Sequence, residues 1–246
     1  MRNKYIRNIL LFCSLIIGNL SCTSLLDIER QKDFSLESVK VKQIVCINPS
    51  FNIFTQNTAK GTSTASYSET VKRERVFNKL LSKNALKNGI ILQIIDTDDL
   101  QNNDASYFNY LAPLRKEILQ VNYLQNFEDI NKNVKKGNSS QVRYDKGPKI
   151  STHYSHLAEI YGTSLFAVQG LSYQTKTNEK ASESILSTTK ALLPNVVDNQ
   201  NMIYFTIIAD VSKSEIVYRE YRQVDGSASE GNLNSIIYDS FKIIAN

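Results

Sequence analysis

Two short stretches carry residue types whose spacing could do chemistry. Asp96-Thr97-Asp98 stands directly after the apolar run Ile90–Ile95. At the end of a buried strand a first carboxylate can attack phosphorus while a second, two places on, handles a proton. That chemistry also needs a Gly-Thr continuation and further carboxylates for Mg²⁺, whereas Asp99-Leu100 follows here, and Asp98 with Asp99 serves equally well to cap the next segment. His153 and His156 are the only histidines, and one helical turn would put both on one side of a metal, with Glu159 a turn further along. A catalytic zinc needs three protein ligands and an open position, and His-Tyr-Ser-His lacks the built-in base of His-Glu-x-x-His. The competing reading is a pair of surface or capping histidines at a helix start. There is no Gly-x-Ser-x-Gly elbow, and the nine glycines are scattered, so neither a serine hydrolase nor a phosphate loop is indicated. The catalytic, cofactor and metal sets are therefore expected to be empty. An enzyme using Asp96, Asp98, His153 and His156, either a hydrolase or a metal-dependent one, is the alternative to carry forward.

The remaining reactive group is a thiol near the amino terminus. Arg2, Lys4 and Arg7 form a basic segment, Ile9 to Ile17 an apolar core interrupted only by Cys13 and Ser14, and Ser21 stands before Cys22. This is the layout of a secretory signal, and its apolar run is too short for a permanent span of roughly 20 residues. The stretch Asn19-Leu20-Ser21-Cys22 resembles a bacterial lipobox, with Asn19 where a leucine is usual. Cys22 is thereby the expected lipidation site: residues 1–21 are a signal peptide and the lipidated cysteine, acylated by a palmitate-like chain, is the membrane anchor. Cys13 follows bulky Phe12 and fits less well.

Composition agrees with one exported domain. The formal charge of +5 includes the three signal cations, so the 224 residues after Cys22 are nearly neutral and point to neither nucleic acid nor an anionic surface. Only Cys46 is then left, which excludes an internal disulfide and reads as a small core residue.

Residues 22–40 read as the lipidated cysteine and a charged tether, and residues 41–246 as a single α/β domain. Val41–Pro49 is β-branched and predicts a strand covered on both faces; Ser50–Thr70 is polar and predicts a long loop. A helix is predicted over Val71–Asn88, ended by Asn88-Gly89, with Val76, Leu80, Leu81 and Leu86 near one side. A buried strand over Ile90–Ile95, a helix over Ala112–Phe127 and a solvated loop over Asn131–Pro148 follow. Then come a short helix at His156–Tyr161 stopped by Gly162, a strand at Ser164–Val168, and a hairpin of Met202–Val211 and Glu215–Arg222. In YREYRQ the alternation of Tyr218 and Tyr221 with Arg219 and Arg222 predicts a half-exposed strand near an edge, or a stacking platform for bases or sugars. The chain closes with a helix over Asn232–Ile244, with Leu233, Ile236, Ile237, Phe241 and Ile244 on one face.

Several of these segments resemble a known group. A lipobox, then VKQIVCINP, a helix leading to GIILQIIDTDDL, HLAEIYGTSLFAVQGLSY and MIYFTIIADVSKSEIVYREYR is similar to the curli-secretion (CsgG-like) lipoproteins. That group has relatives in polysaccharide export and in activation of penicillin-binding proteins, and its fold resembles the amino-terminal domain of TolB. Thr163-Ser164 stands where the group has Ala-Asp, and Lys213-Ser214 where it has Thr-Gly. The resemblance implies a mixed sheet covered by helices, and a lipoprotein of the cell envelope, on the periplasmic or surface side of the outer membrane. It implies assembly, export or binding of a protein or polymer partner, in a homo-oligomer. A surface lipoprotein that binds an external ligand is the other binding-class expectation. Neither Ser50–Thr70 nor Gln174–Asn201 alternates as a transmembrane barrel strand does.

Overall fold

The computed structural model describes residues 25–37, 42–60, 62–65, 67–96, 105–121, 140–180, 201–225 and 228–246. These form a nine-stranded mixed sheet with helices on both faces, an α/β sandwich as the sequence predicts. In chain order the strands are β1 (Leu25–Gln31), β2 (Gln43–Ile47), β3 (Ser50–Lys60), β4 (Thr62–Ala65), β5 (Ile91–Ile95), β6 (Ser140–Tyr144), β7 (Leu165–Lys180), β8 (Asn201–Asp210) and β9 (Glu215–Asp225). The helices are α1 (Tyr67–Lys87), α2 (residues 105–121, with a π-helical stretch at Tyr107–Leu111), the short α3 (Leu157–Tyr161) and α4 (Glu230–Ala245).

The strand order is β4-β3-β7-β8-β9-β1-β6, and β2 lies parallel between β5 and the first residues of β7. In effect β2 and β3 are one long strand running parallel to β7 with a kink between them. From Cys46↔Ala167 to Ser50↔Gly170 the β2–β3 side advances four residues while β7 advances three, so one extra residue is bulged out. Asn48 absorbs it in the left-handed region at φ 42°, which Asn tolerates better than most residues.

Alternation along the strands sorts side chains onto two cores. Ile44, Ala167, Leu171, Tyr204, Ile208 and Tyr218 face α1 and α4. Val45, Ile47, Phe166, Val168, Ile207 and Ile216 face α2 and α3. On α1 the buried positions are Phe77, Leu80, Leu81, Asn84 and Ala85, a helical stripe, while Val76 and Leu86 point outward. The face read from the sequence was thus rotated, because Phe77 is the residue that meets Phe51 and Tyr204 edge-on. The α4 stripe is as predicted, with Ser229 Oγ capping its start by accepting from the Asn232 N–H. Gly89 and Gly162 both take positive φ where helices end, as their positions imply.

The helix expected from Ala112 begins at residue 105, the strand expected over Ser164–Val168 runs on to Lys180, and three segments expected as loop or tether contain strands. Ser50–Lys60 and Thr62–Ala65 form β3 and β4, not a loop, and Ser140–Tyr144 forms β6 inside the predicted loop. The segment read as a tether contains β1, which lies between β9 and β6 in the sheet. Its charges deceive: Leu26 and Ile28 face one core while Asp27, Glu29 and Gln31 face the other side, where Arg219 pairs with Glu29 and Gln31 Nε2 donates to Glu215 Oε2 at 2.9 Å. Insertion of β1 also makes β9 an interior strand, so Arg219, Glu220 and Arg222 are buried and the predicted edge position of YREYRQ is corrected.

Candidate functional site

The residues with chemical potential fall into four separate places. Cys22 and Asp98 lie outside the described residues. The first described residue, Leu25, begins β1 opposite Gln223 of β9.

Asp96 follows the carboxyl end of β5, where its Oδ2 accepts from Asn78 Nδ2 of α1 at 2.7 Å. Beside it at the end of β2, the Asn48 N–H donates to the Ile95 carbonyl at 2.6 Å, and the Asn48 carbonyl accepts from Arg115 Nε at 3.2 Å. Burial lowers the pKa of this guanidinium, with Tyr107, Cys46 and Glu74 opposing the shift. The arrangement ties α1 and α2 to the ends of β2 and β5. Cys46 sits beneath it, fully buried, with its Sγ 3.4 Å from Gln169 Oε1, and burial pushes the thiol up to about 12. It is the core residue the sequence predicts and is unreactive at neutral pH.

The two histidines do come together, as their spacing predicts. Ser151 Oγ accepts from the His153 N–H, starting the 3₁₀ turn Thr152–Tyr154, and His156 immediately precedes α3. His156 Nδ1 lies 2.8 Å from the His153 carbonyl; a carbonyl only accepts, so Nδ1 carries the hydrogen. Their rings are 5.8 Å apart, and Tyr110 of α2 lies 6.0 Å from the His153 ring and 4.7 Å from that of His156. Among the described residues no group of three or more His, Cys, Asp or Glu could hold a metal. The two rings and Tyr110 form an aromatic cluster that packs the turn before α3 against α2. Asp96 belongs to a different contact set, bonded to α1 on the opposite face.

The fourth place was missed in the sequence. Beneath α4 a polar stripe crosses the sheet: Gln169 Nε2 donates to Tyr204 Oη and Thr206 Oγ1, each at 3.2 Å, and Thr206 Oγ1 donates to Tyr204 Oη at 2.8 Å. Further along, Glu220 accepts from Arg222 Nε at 3.1 Å, Arg222 NH2 at 2.7 Å, Tyr218 Oη at 3.0 Å and Ser240 Oγ of α4 at 2.5 Å. Burial raises the pKa of Tyr218 above its ordinary value, reinforced by Glu220, and raises that of Tyr204 likewise. The stripe's signal in the sequence is every second residue of YREYR, an alternation that a half-exposed strand shares. The stripe is sealed from solvent, so it fixes α4 in place and offers no surface to bases or sugars.

No protein-family model and no curated protein sequence matches the chain. Among solved structures it is similar to the PelC dodecamer of Paraburkholderia phytofirmans, at 8% identity over 90% of this chain and 97% of that one, with a TM-score of 0.41. A single-residue variant of the same protein gives 8% identity, 90% and 98% coverage and a TM-score of 0.40. The lipoprotein GNA1162 of Neisseria meningitidis gives 12% identity over 83% of this chain and 97% of that one, with a TM-score of 0.28. At these values the functional reading rests on the chain's own residues.

Proposed function

We propose that the chain is a lipid-anchored protein of the cell envelope that acts by holding a partner protein or polymer, not by catalysis. The observation that carries this reading is the order of basic segment, short apolar core, Ser21 and Cys22 at the amino terminus. No described helix is long and apolar enough to cross a membrane, so attachment in this reading comes from the acyl chain. Binding in place of chemistry is supported by the roles just described: Asp96 ties α1 to the end of β5, and the histidine pair packs the turn before α3 against α2.

The surfaces available for partners are strand edges and helix faces. Among the described residues β5 pairs only with β2 and β6 only with β1, and each carries an exposed apolar residue, Ile91 at 53% and Val142 at 47%. Two such edges on opposite sides of one sheet suit a homo-oligomer or an added strand from another protein.

Metabolic labelling with an alkyne fatty acid, comparing the wild-type chain with Cys22→Ser after membrane fractionation, tests the anchor. Label that depends on Cys22 is the expected outcome; an unlabelled, soluble wild-type chain refutes it. Replacing His153 and His156 together separates binding from metal-dependent catalysis, since partner capture is expected to persist in that variant.

A further inference from the structure

We infer that the outward face of α1 is a docking surface for a linear anionic polysaccharide lying lengthwise along the helix. This names the polymer of the binding reading above and rests on it. A near-neutral composition hides the surface. The residues after Cys22 carry 26 Lys and Arg against 24 Asp and Glu, yet α1 alone carries six against two, so the remainder of the chain is net negative. At about 100° per residue, Arg75, Lys79, Lys83 and Lys87 advance only about 40° at each step, which keeps all four within roughly one third of the helix circumference. Each step rises about 6 Å, for a row about 18 Å long. Lys72, Val76 and Leu86 share this arc and are exposed like the four cations, and between Lys72 and Lys87 no carboxylate lies within it. The buried stripe of Phe77, Leu80, Leu81, Asn84 and Ala85 occupies the opposite side. Among the described residues no ion pair holds Arg75, Lys79, Lys83 or Lys87. Like charges four residues apart repel, so the row works against the helix that carries it, and an anion from outside relieves that repulsion.

Shape and chemistry select the occupant. Beside α1 on the same side of the sheet, α4 exposes Glu230 and Asp239, so a flat anionic leaflet pressed against this side would meet carboxylates as well as the row. A single chain laid along α1 meets the cations alone. Three of the four are lysines, point charges that follow the recurrence of charge along a polymer and not the shape of one anion. Leu86, 71% exposed, and Val76 stand among the cations and offer apolar surface to the C–H faces of sugar rings. An acidic peptide has no such faces, and a helix surface gives it no strand edge to pair with.

The test is the binding of fluorescein-labelled polygalacturonate to the full-length chain carrying Cys22→Ser, which has no acylation site and so makes the result independent of the anchor. Arg2, Lys4 and Arg7 are common to every variant and cancel from the comparison. With about 0.7 counterions released per contact, four contacts give a slope of log affinity against log salt of about −3. Lys79→Glu with Lys83→Glu is expected to halve that slope and to weaken binding at least about tenfold at about 50 mM salt. Lys116→Glu with Lys146→Glu makes the same change in net charge at exposed residues outside the row, and is expected to alter affinity by less than about twofold. The row variant also turns repulsive pairs four apart into attractive ones, so its urea midpoint is expected to hold or rise, which separates lost binding from lost folding. Lys79→Gln with Lys83→Gln is the second variant, expected to lose affinity in the same direction by less. Leu86→Ser is expected to weaken polygalacturonate about threefold, the effect of about 30 Å² of buried apolar surface, and to leave poly-L-glutamate binding unchanged. No binding by the unaltered row, or equal losses in the row and off-row variants, overturns the docking surface. Equal effects of Leu86→Ser on both polymers overturn the polysaccharide in favour of an acidic peptide. Phosphatidylglycerol vesicles bound more tightly than polygalacturonate, with the same dependence on Lys79 and Lys83, assign the face to a membrane and overturn it as well. The anchor stands or falls by the fatty-acid label and this surface by polygalacturonate, so the two failures are read separately.

Discussion

Replacing Glu220 by Ala is expected to cost more stability than any single change on the surface. The carboxylate is fully buried and accepts four hydrogen bonds, two from Arg222 and one each from Tyr218 and Ser240. Its removal strands the Arg222 guanidinium, itself buried, with Asp239 as the remaining carboxylate at 3.7 Å and that one half exposed. Breaking a buried pair in this way costs about 3–5 kcal/mol, because an uncompensated charge remains. The two hydroxyls lose a charged acceptor as well, an effect that overlaps with the first. Against a total stability of roughly 5–15 kcal/mol for a domain, most of the margin disappears. Urea unfolding followed by circular dichroism measures it. A second variant sharpens the test: Glu220→Leu, Arg222→Met and Ser240→Ala together remove the charges and one hydroxyl, so at least half of the lost stability is expected to return. A cost below about 1 kcal/mol for Glu220→Ala, the level of an exposed ion pair, would refute the reasoning.

Other outcomes follow from the same packing. Burial raises the phenol pKa of Tyr144, Tyr204 and Tyr218, so the stability they contribute is fully present below the unfolded tyrosine value of about 10 and is lost as pH rises beyond it. Urea midpoints are expected to be level up to about pH 9 and to drop by about pH 11; a flat profile contradicts the burial. In a chain carrying Cys13→Ser and Cys22→Ser, the Cys46 thiol is expected to resist alkylation until urea unfolds the protein, and rapid labelling of the native chain would count against its buried position. Gly147→Ala places a Cβ 1.8 Å from the Ile216 carbonyl oxygen, a backbone atom that cannot swing aside, with the Tyr144 ring 3.1 Å away, so a loss of about 2–3 kcal/mol is expected. Gly89→Ala meets nothing within 4 Å and carries only the left-handed φ of +71°, for an expected cost of about 1 kcal/mol in the same melts.

Wherever a segment's own hydrophobic pattern was enough to bury it, the sequence was legible. Val45, Cys46 and Ile47 in β2, the β8–β9 hairpin and the α4 stripe all stand where their periodicity puts them. The helix stops at Gly89 and Gly162 are equally local, since they depend on a backbone conformation that glycine adopts without a Cβ clash. The spacing of His153 and His156 fixed their proximity in the same way, but Tyr110, which arrives from a separate helix, could not be foreseen.

What only the tertiary structure decided is the fate of the charged and polar strands. Nothing within LLDIERQ marks it as part of a sheet, because Glu29 and Gln31 are stabilised by Arg219 and Glu215, about 190 residues away in the chain. Once β1 is inserted, YREYR moves from an edge to the interior: Glu220 and Arg222 become a buried network under α4, and Arg219 pairs with Glu29 on the opposite face. The sequence by itself determined the class of fold, the local helix ends and the candidate anchor at Cys22. Long-range pairing decided which charges are buried, because a buried charge is tolerable only when a partner reaches it, and that partner is chosen by the fold.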